Sequence, residues 1–202
     1  MTKKELLIAT KNMGKVREIE ELLRDSPFVL RNLNDFPSVV EPEETGSTFA
    51  ENAALKAKSY AQQTGLWALA DDSGLEVNAL GGAPGVFSAR YAGEGATDEQ
   101  KIGKLLSEMS KGQSETRAAR FVCAIAVADE TGVIRFSAEG VCQGEIAFEP
   151  RGNSGFGYDP IFIPMGFFET FGELSSETKR QISHRAKALQ KIINYLCGFT
   201  AA

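Results

Sequence analysis

The sequence predicts an α/β protein built on a mixed sheet with a cleft, and three observations carry that prediction. Apolar runs of strand length, such as Leu6-Leu7-Ile8-Ala9 and Leu66-Trp67-Ala68-Leu69, alternate with stretches in which apolar residues recur at helical spacing. Helix-opening signals stand between them at Thr48 and Thr97. In the second half, several apolar segments follow one another with only a short turn between them, the pattern of antiparallel strands.

Taken in order, Glu5 to Thr10 reads as a buried strand, and Val16, Ile19, Leu22 and Leu23 mark a helix that Pro27 ends. Phe28 to Leu33 suits a second strand, and Glu41-Pro42-Glu43-Glu44-Thr45-Gly46 has loop composition. Thr48-Phe49-Ala50-Glu51 forms a capping box, with Glu51 as the reciprocal partner of the cap, and opens a helix that Gly65 closes. Ala70-Asp71-Asp72-Ser73-Gly74 then reads as a small turn before Leu75-Glu76-Val77, and a Gly/Pro-rich loop follows over 81–95. Thr97-Asp98-Glu99-Gln100 is a second capping box, heading a helix with Ile102, Leu105, Leu106 and Met109 on one face and Gly112 as its stop. Phe121 to Ala128 and Val133 to Ala138 form a hairpin, which Val141 to Phe148 extends to three strands. Ser183 caps the last helix, whose inner face is Ala188, Leu189, Ile192, Ile193 and Leu196. No repeat or linker divides the chain, so residues 1–202 are expected to form a single domain.

A chain of 202 residues buries roughly 70% of its unfolded surface and needs no disulfide to fold. Hydrophobic residues at 43% and charged residues at 24% are ordinary globular values, and no apolar run is long enough for a bilayer. Met1-Thr2-Lys3-Lys4 opens no signal-peptide pattern, and Cys123, Cys142 and Cys197 are odd in number and widely spaced. A cytoplasmic protein without membrane attachment is therefore expected. The net charge of −5 offers nucleic acid no general attraction, so a polyanionic ligand must meet a local cluster of Lys and Arg.

Several segments carry candidate chemistry. Asp71 and Asp72 resemble a metal-holding pair or, equally, a solvated turn; in a strand adjacent side chains point to opposite faces, so one ligand cannot meet both unless the backbone bends. Thr10-Lys11-Asn12-Met13-Gly14-Lys15 lies where a strand passes into a helix, which favours an anion, although an ordinary polar loop fits the same spacing. It is neither a P-loop nor a dinucleotide fingerprint. Glu44 with Asp72 offers the oxygen-only, one- or two-carboxylate donor set that magnesium accepts, and Lys56 lies on the helix between them while Lys58 reads as solvated. Gly155-Phe156-Gly157-Tyr158-Asp159-Pro160 allows a flat base to stack on the aromatic, or else is a glycine turn whose Phe and Tyr enter the core. The single histidine, His184, supplies with Arg185 a pair of donors and no zinc site. Phe167, Phe168 and Phe171 fit either a core or an interface and lean toward the core.

T-x-N-x-x-K at 10–15, E-E-T-G-x-T-F-x-E-N-A at 43–53, A-D-D-S-G-L-E-V at 70–77, G-A-P-G-V-F-S-A-R-Y-A-G at 82–93, G-F-G-Y-D-P-I-F at 155–162 and S-H-R at 183–185 together resemble the inosine triphosphate pyrophosphatase family across nearly the whole chain. The resemblance implies a mixed twisted sheet with flanking helices in an elongated, two-lobed subunit with a central cleft. It implies hydrolysis of ITP, dITP and XTP to the nucleoside monophosphate and pyrophosphate, with magnesium, by a cytoplasmic homodimer that takes small-molecule substrates and no nucleic acid. Carried over by position, Thr10, Lys11, Asn12, Met13, Gly14 and Lys15 would bind the triphosphate with help from Lys56. Glu44 and Asp72 would bind magnesium, Asp72 would be the catalytic base, and Ser73 would contact substrate. Phe156, Gly157, Tyr158 and Asp159 would receive the base, with Lys179, His184 and Arg185 completing the pocket around it. Asn78 departs from the Asp that many members carry there. A Maf-type pyrophosphatase, a non-catalytic nucleotide sensor and single-stranded RNA binding through Phe156 and Tyr158 are the rival readings, the last opposed by the acidic balance.

Overall fold

The structure, a computed structural model, describes residues 4–112 and 115–198. Met1, Thr2 and Lys3, at which no leader pattern is expected, lie outside the described residues. The elements run β1 (Glu5–Ile8), α1 (Met13–Leu22), β2 (Val29–Asn32), α2 (Phe49–Thr64), β3 (Trp67–Val77), α3 (Asp98–Lys111), β4 (Ala118–Ala128), β5 (Ile134–Ile146), β6 (Phe162–Pro164), α4 (Ser176–Ile182) and α5 (His184–Gly198). The strands form one mixed sheet in the order β2-β1-β3-β4-β5-β6. β1 pairs parallel to both β2 and β3, with Leu6 opposite Trp67 and Ile8 opposite Leu69, whereas β5 and β6 are antiparallel. No helix among the described residues is long and apolar enough to cross a membrane.

By contact density the chain divides into two compact units, the first drawn from 1–72, 123–140 and 185–202, the second from 73–122 and 141–184. In the first unit, Val16, Ile19 and Leu23 around α1 and Ala188, Leu189, Ile192 and Leu196 of α5 bury against Leu6, Ile8, Trp67, Leu69, Cys123, Ile125 and Val127 of the sheet. Each such aliphatic side chain withdrawn from water contributes about 1.5–3 kcal/mol, which is why helical spacing alone is enough to orient α1 and α5. In the second unit, Ile102, Leu105 and Met109 of α3 pack with Leu75, Val77, Phe121, Ile146, Ile161, Phe162 and Phe171. The rings of Phe121 and Phe162 lie 4.6 Å apart, with Phe171 at 5.3 Å from Phe162. Phe171 is thus a core residue, but Phe168 is 90% exposed, against the expectation that both belong to the core.

Three further expectations are corrected. Asp71-Asp72-Ser73-Gly74 is no turn, because β3 runs unbroken through it. Turn propensity yields here to tertiary contact, since each carboxylate is taken up by cations and donors on flanking helices, as described below. The segments 133–138 and 141–148 are likewise one strand, β5, which passes through Gly140 without a break. The Glu51 carboxylate accepts from the Ser47 amide and hydroxyl at 2.7 and 2.9 Å, one residue outside the expected cap partner, while Thr48 caps the Glu51 amide. By contrast the box of Thr97 and Gln100 is reciprocal, and Gly65 closes α2 in the left-handed region at φ 67°. Neither α4 nor β6 was expected from periodicity, since each is too short to display one.

The turn from β4 into β5 is organised by one carboxylate. Asp129 Oδ1 accepts from the Thr131 amide (2.9 Å), the Thr131 hydroxyl (2.6 Å) and the Val133 amide (3.1 Å), while Oδ2 accepts from Arg135 Nε at 2.6 Å. The Thr131 hydroxyl, and with it the surrounding amides and Arg135, holds the carboxyl at about 2, below its ordinary 3.8. A depressed value means that the charged form stabilises the fold above pH 3.8 and that this contribution is lost as pH falls through about 2. Asp129→Asn is expected to lower the thermal midpoint at pH 7 by a few degrees, with the gap to the unsubstituted protein closing below pH 3.8. A gap that stays constant down to pH 2 would show that the charge on Asp129 contributes nothing.

Candidate active site

Parallel pairing of β1 with β3 brings the residues that follow Ile8 and those that follow Leu69 to the same edge of the sheet, the strand end at which α/β folds gather ligands. The Ala9 amide donates to the Leu69 carbonyl at 2.8 Å, and the chain then enters the loop Thr10–Gly14. Asn12 caps α1, its Oδ1 accepting from the amides of Gly14 (2.9 Å) and Lys15 (3.2 Å), and its own amide donates to Thr10 Oγ1 at 3.3 Å. These interactions shape the loop and set Lys15 on the first turn. Thr10, Lys11 and Met13 also border a cavity of about 290 Å³ that Asn34 and Phe36 help to line. Lys11 is exposed there and pairs with Glu41 at 3.0 Å.

Alternation along β3 sends Asp71 and Asp72 to different partners. Asp71 is completely buried, with Oδ2 at 3.0 Å from Lys15 Nζ and 3.3–3.4 Å from two nitrogens of Arg185, whose guanidinium also meets Glu18. Burial alone would raise the Asp71 carboxyl, but Lys15, Arg185 and Lys56 outweigh it and hold the group well below the usual carboxylate range. Asp72 turns to α2, where its Oδ1 meets Lys56 Nζ at 3.1 Å and its Oδ2 accepts from Asn52 Nδ2 at 3.1 Å. Lys56 Nζ also reaches Glu44 Oε1 at 2.7 Å, so Glu44 and Asp72 converge on one positive charge. Burial raises the Asp72 carboxyl above its ordinary value against the pull of Lys56, and Glu44 adds to the rise. Burial equally disfavours the charge on Lys56, but Asp72, Asp71 and Glu44 outweigh that cost.

Asn52, a member of the 43–53 motif with no role assigned from sequence, links this cluster to the loop that carries Glu44. Its Oδ1 accepts from the Gly46 amide at 2.8 Å while its Nδ2 holds Asp72, which fixes the orientation of the amide. The close approach leaves no room at Gly46, where a Cβ would stand 2.6 Å from Asn52 Oδ1. The available signal was spacing, since Asn52 and Lys56 lie four apart on the buried face of a helix otherwise covered by Phe49, Ala53, Ala57 and Tyr60. Lys58 is exposed, and Ser73 lies half-buried on β3.

In the second unit, Asp159 Oδ2 accepts from the Phe156 amide at 2.8 Å and from Lys179 Nζ at 2.7 Å, both carboxylate and ammonium being buried. Lys179 Nζ stands 4.9 Å from the centre of the Phe156 ring, a cation–π contact on a partly exposed aromatic face. Tyr158 does enter the core, its hydroxyl donating to the Ser88 carbonyl at 3.0 Å. Of the two aromatics, Tyr158 is packed inward and Phe156 is left partly exposed. His184 is buried with its ring stacked on Phe121 at 4.6 Å and 10°. Arg185, expected beside a purine, is 2% exposed and belongs to the ion-pair cluster of Asp71.

Taken together, the fold and these clusters define an α/β protein that presents lysines and convergent carboxylates at the strand ends of one unit, and an aromatic–lysine–carboxylate segment in the other. The Ham1 family model matches residues 6–195, and the chain belongs to that family. A dITP/XTP pyrophosphatase of Desulforamulus reducens is 50% identical over 191 residues, covering 95% of this chain and 94% of the relative. One of Geobacillus kaustophilus is 52% identical over 192 residues, covering 94% and 92%. Among solved structures, a HAM1 protein from Coxiella burnetii superposes with a TM-score of 0.89 at 46% identity, covering 96% of this chain and 99% of its own.

Proposed function

We propose that this chain hydrolyses ITP, dITP and XTP to the nucleoside monophosphate and pyrophosphate, with Asp72 at the reacting centre. The observation that carries the reading is the convergence of Glu44 and Asp72 on a single cationic group, with Lys15 drawn in by the neighbouring Asp71. The names of the relatives point to the same reaction class. Among the described residues no group of three or more His, Cys, Asp or Glu side chains could hold a metal; in this reading Glu44 and Asp72 supply two carboxylates and leave other positions to water and substrate oxygens. Such a donor set fits magnesium, which when bound would supply charge against the triphosphate oxygens and make a neighbouring water more acidic. The contacts of the Lys56 ammonium with both Glu44 and Asp72 support this pairing of the two carboxylates.

In this reading Lys15 and Lys56 offset phosphate charge, Thr10, Lys11, Asn12, Met13 and Gly14 shape the loop that receives it, and Ser73 contacts substrate. Asp72 orients the attacking water and takes up its proton as the water oxygen bonds to the α-phosphorus and the bond to pyrophosphate breaks. Burial and Glu44, which lift Asp72 above its ordinary value, suit it to that acceptance. Phe156 and Gly157 receive the base, on a segment that Tyr158 anchors in the core and Asp159 ties to Lys179, while His184 supports that core through Phe121 and Arg185 acts through its pair with Asp71. A Lys179 donor aimed at a purine keto oxygen would oppose the amino group of adenine, and a mismatch of buried polar groups costs about 1–3 kcal/mol. The same reading carries a cytoplasmic homodimer that takes no nucleic acid, supported by the family resemblance and the net charge of −5.

Steady-state kinetics across ITP, XTP, dITP, GTP and ATP, with magnesium and with chelator, tests the reading. ITP, dITP and XTP are expected to exceed ATP by about 100-fold or more in kcat/KM, with pyrophosphate as product and no turnover under chelation. Equal rates on ATP and ITP would refute the base selectivity, and rates indifferent to chelation would refute the metal.

A further inference from the structure

We propose that Asp98 is a positioning residue for base recognition, acting through the Gly157 amide to hold the segment that carries Phe156; this rests on the assignment of that segment to the purine base. Asp98 is the first residue of α3, and its Oδ2 accepts from the Gly157 amide at 2.6 Å, across 59 positions of sequence. The next amide back, that of Phe156, is held by Asp159 Oδ2 at 2.8 Å. Two successive peptide N–H groups are therefore each gripped by a carboxylate, one from α3 and one from within the segment. Tyr158 adds a third anchor through Ser88.

The grip is needed because of what the chain is made of at this point. Gly155 and Gly157 adopt φ of 80° and 61°, values that glycine allows readily, and a Cβ at Gly155 would stand 2.0 Å from Asp159 Oδ2. Glycines that permit this path also permit many others, and a loop free to sample them loses ordering entropy each time a base is bound. Holding both amides settles the peptide plane between Phe156 and Gly157, and with it the direction of the Phe156 ring over Lys179. Asp98 is itself steadied by Lys101, whose Nζ meets its other oxygen at 2.6 Å. The carboxylate, with its negative charge at the start of α3, is well placed to stay ionised and accept.

The contribution is one of acceptor geometry, so the conservative variant separates it from a general structural role. Asp98→Ala is expected to raise KM for ITP about tenfold with kcat within about twofold, to lower the ITP-over-ATP ratio of kcat/KM by a similar factor, and to leave inhibition by inorganic tripolyphosphate unchanged. Asp98→Asn retains an acceptor and is expected to stay within about threefold of the unsubstituted protein, as is Lys101→Met, which removes only the ion pair. Hydrogen exchange at the Gly157 amide, read by NMR, is expected to quicken at least about tenfold in Asp98→Ala and little in Asp98→Asn. Should the alanine variant not fold, Asp98→Glu displaces the acceptor by one methylene and is expected to show the same rise in KM and in exchange. Unaltered Gly157 exchange in Asp98→Ala, an asparagine variant as impaired as the alanine one, or a parallel loss of tripolyphosphate affinity would each overturn the proposal. Failure of the unsubstituted protein to hydrolyse ITP would instead overturn the assigned activity, a result that the Gly157 exchange measurement distinguishes.

Discussion

Asp72→Asn is expected to remove turnover of ITP by about 10³-fold while leaving a folded protein, because one substitution withdraws both the proton acceptor and half of the carboxylate pair. The fold survives because the asparagine keeps the shape of a side chain that is already enclosed, with Lys56 and Asn52 both in reach at 3.1 Å. One donor-to-donor contact with Asn52 follows from the new amide, a cost of about 1–3 kcal/mol that leaves the native state populated. Glu44→Gln separates the two functions. Glu44 meets the same Lys56 nitrogen from outside the strand, so its loss is expected to raise the magnesium concentration needed for half-maximal activity while costing kcat far less at saturating metal. An Asp72→Asn protein with near-normal kcat would remove this residue from the reacting centre, and a Glu44→Gln protein with an unchanged magnesium requirement would remove Glu44 from the metal.

Asp71→Ala is expected to cost about 3 kcal/mol of folding stability, read as a lower urea midpoint, for a reason unrelated to chemistry at phosphorus. The Arg185 guanidinium is 2% exposed, and Asp71 Oδ2 stands 3.3–3.4 Å from two of its nitrogens. Removal of Asp71 leaves that charge buried with Glu18 still beside it, so the penalty falls at the lower end of the range for broken buried pairs, about 3–5 kcal/mol. Lys15 is less constrained, since its side chain is 14% exposed and can turn toward water once Asp71 is gone. Phosphate binding should weaken for that reason, which a rise in the inhibition constant of tripolyphosphate would report. Asp71→Asn keeps an acceptor and is expected to recover part of the stability, and an alanine variant with an unchanged urea midpoint would show that Arg185 has no need of this partner.

Much of the framework could be read directly from residue order. The spacing of Val16, Ile19 and Leu23 marked α1 and its buried face, Thr97 with Gln100 marked the start of α3, and Gly65 marked the end of α2. These signals are legible because caps and amphipathic faces depend on neighbours within four residues. Glu44 with Asp72 reads as a carboxylate pair and Lys56 as a phosphate partner, and the structure brings the three side chains together. Less legible was the path of β3, where Asp, Ser and Gly suggest a turn but Lys15, Arg185, Lys56 and Asn52 keep the strand extended. Asn52 stands in the 43–53 motif without a legible role because a polar residue on a helix is ordinarily solvated, and only its placement opposite Asp72 gives it a task.

By itself the sequence determined the alternation of strands and helices, the loop that leads into α1, the glycines that let the Phe156 segment turn, and the family to which these belong. Tertiary structure alone decided which charge each carboxylate meets: Asp71 pairs with an arginine 114 positions away, Asp72 with α2, and Asp98 with the Gly157 amide. Local order is set by propensity and periodicity over a few residues, which the order of residues records. Partners brought together over long stretches of chain depend on how helices and strands pack, and it is burial, by removing water as a competitor, that makes those distant pairings strong enough to shape the site.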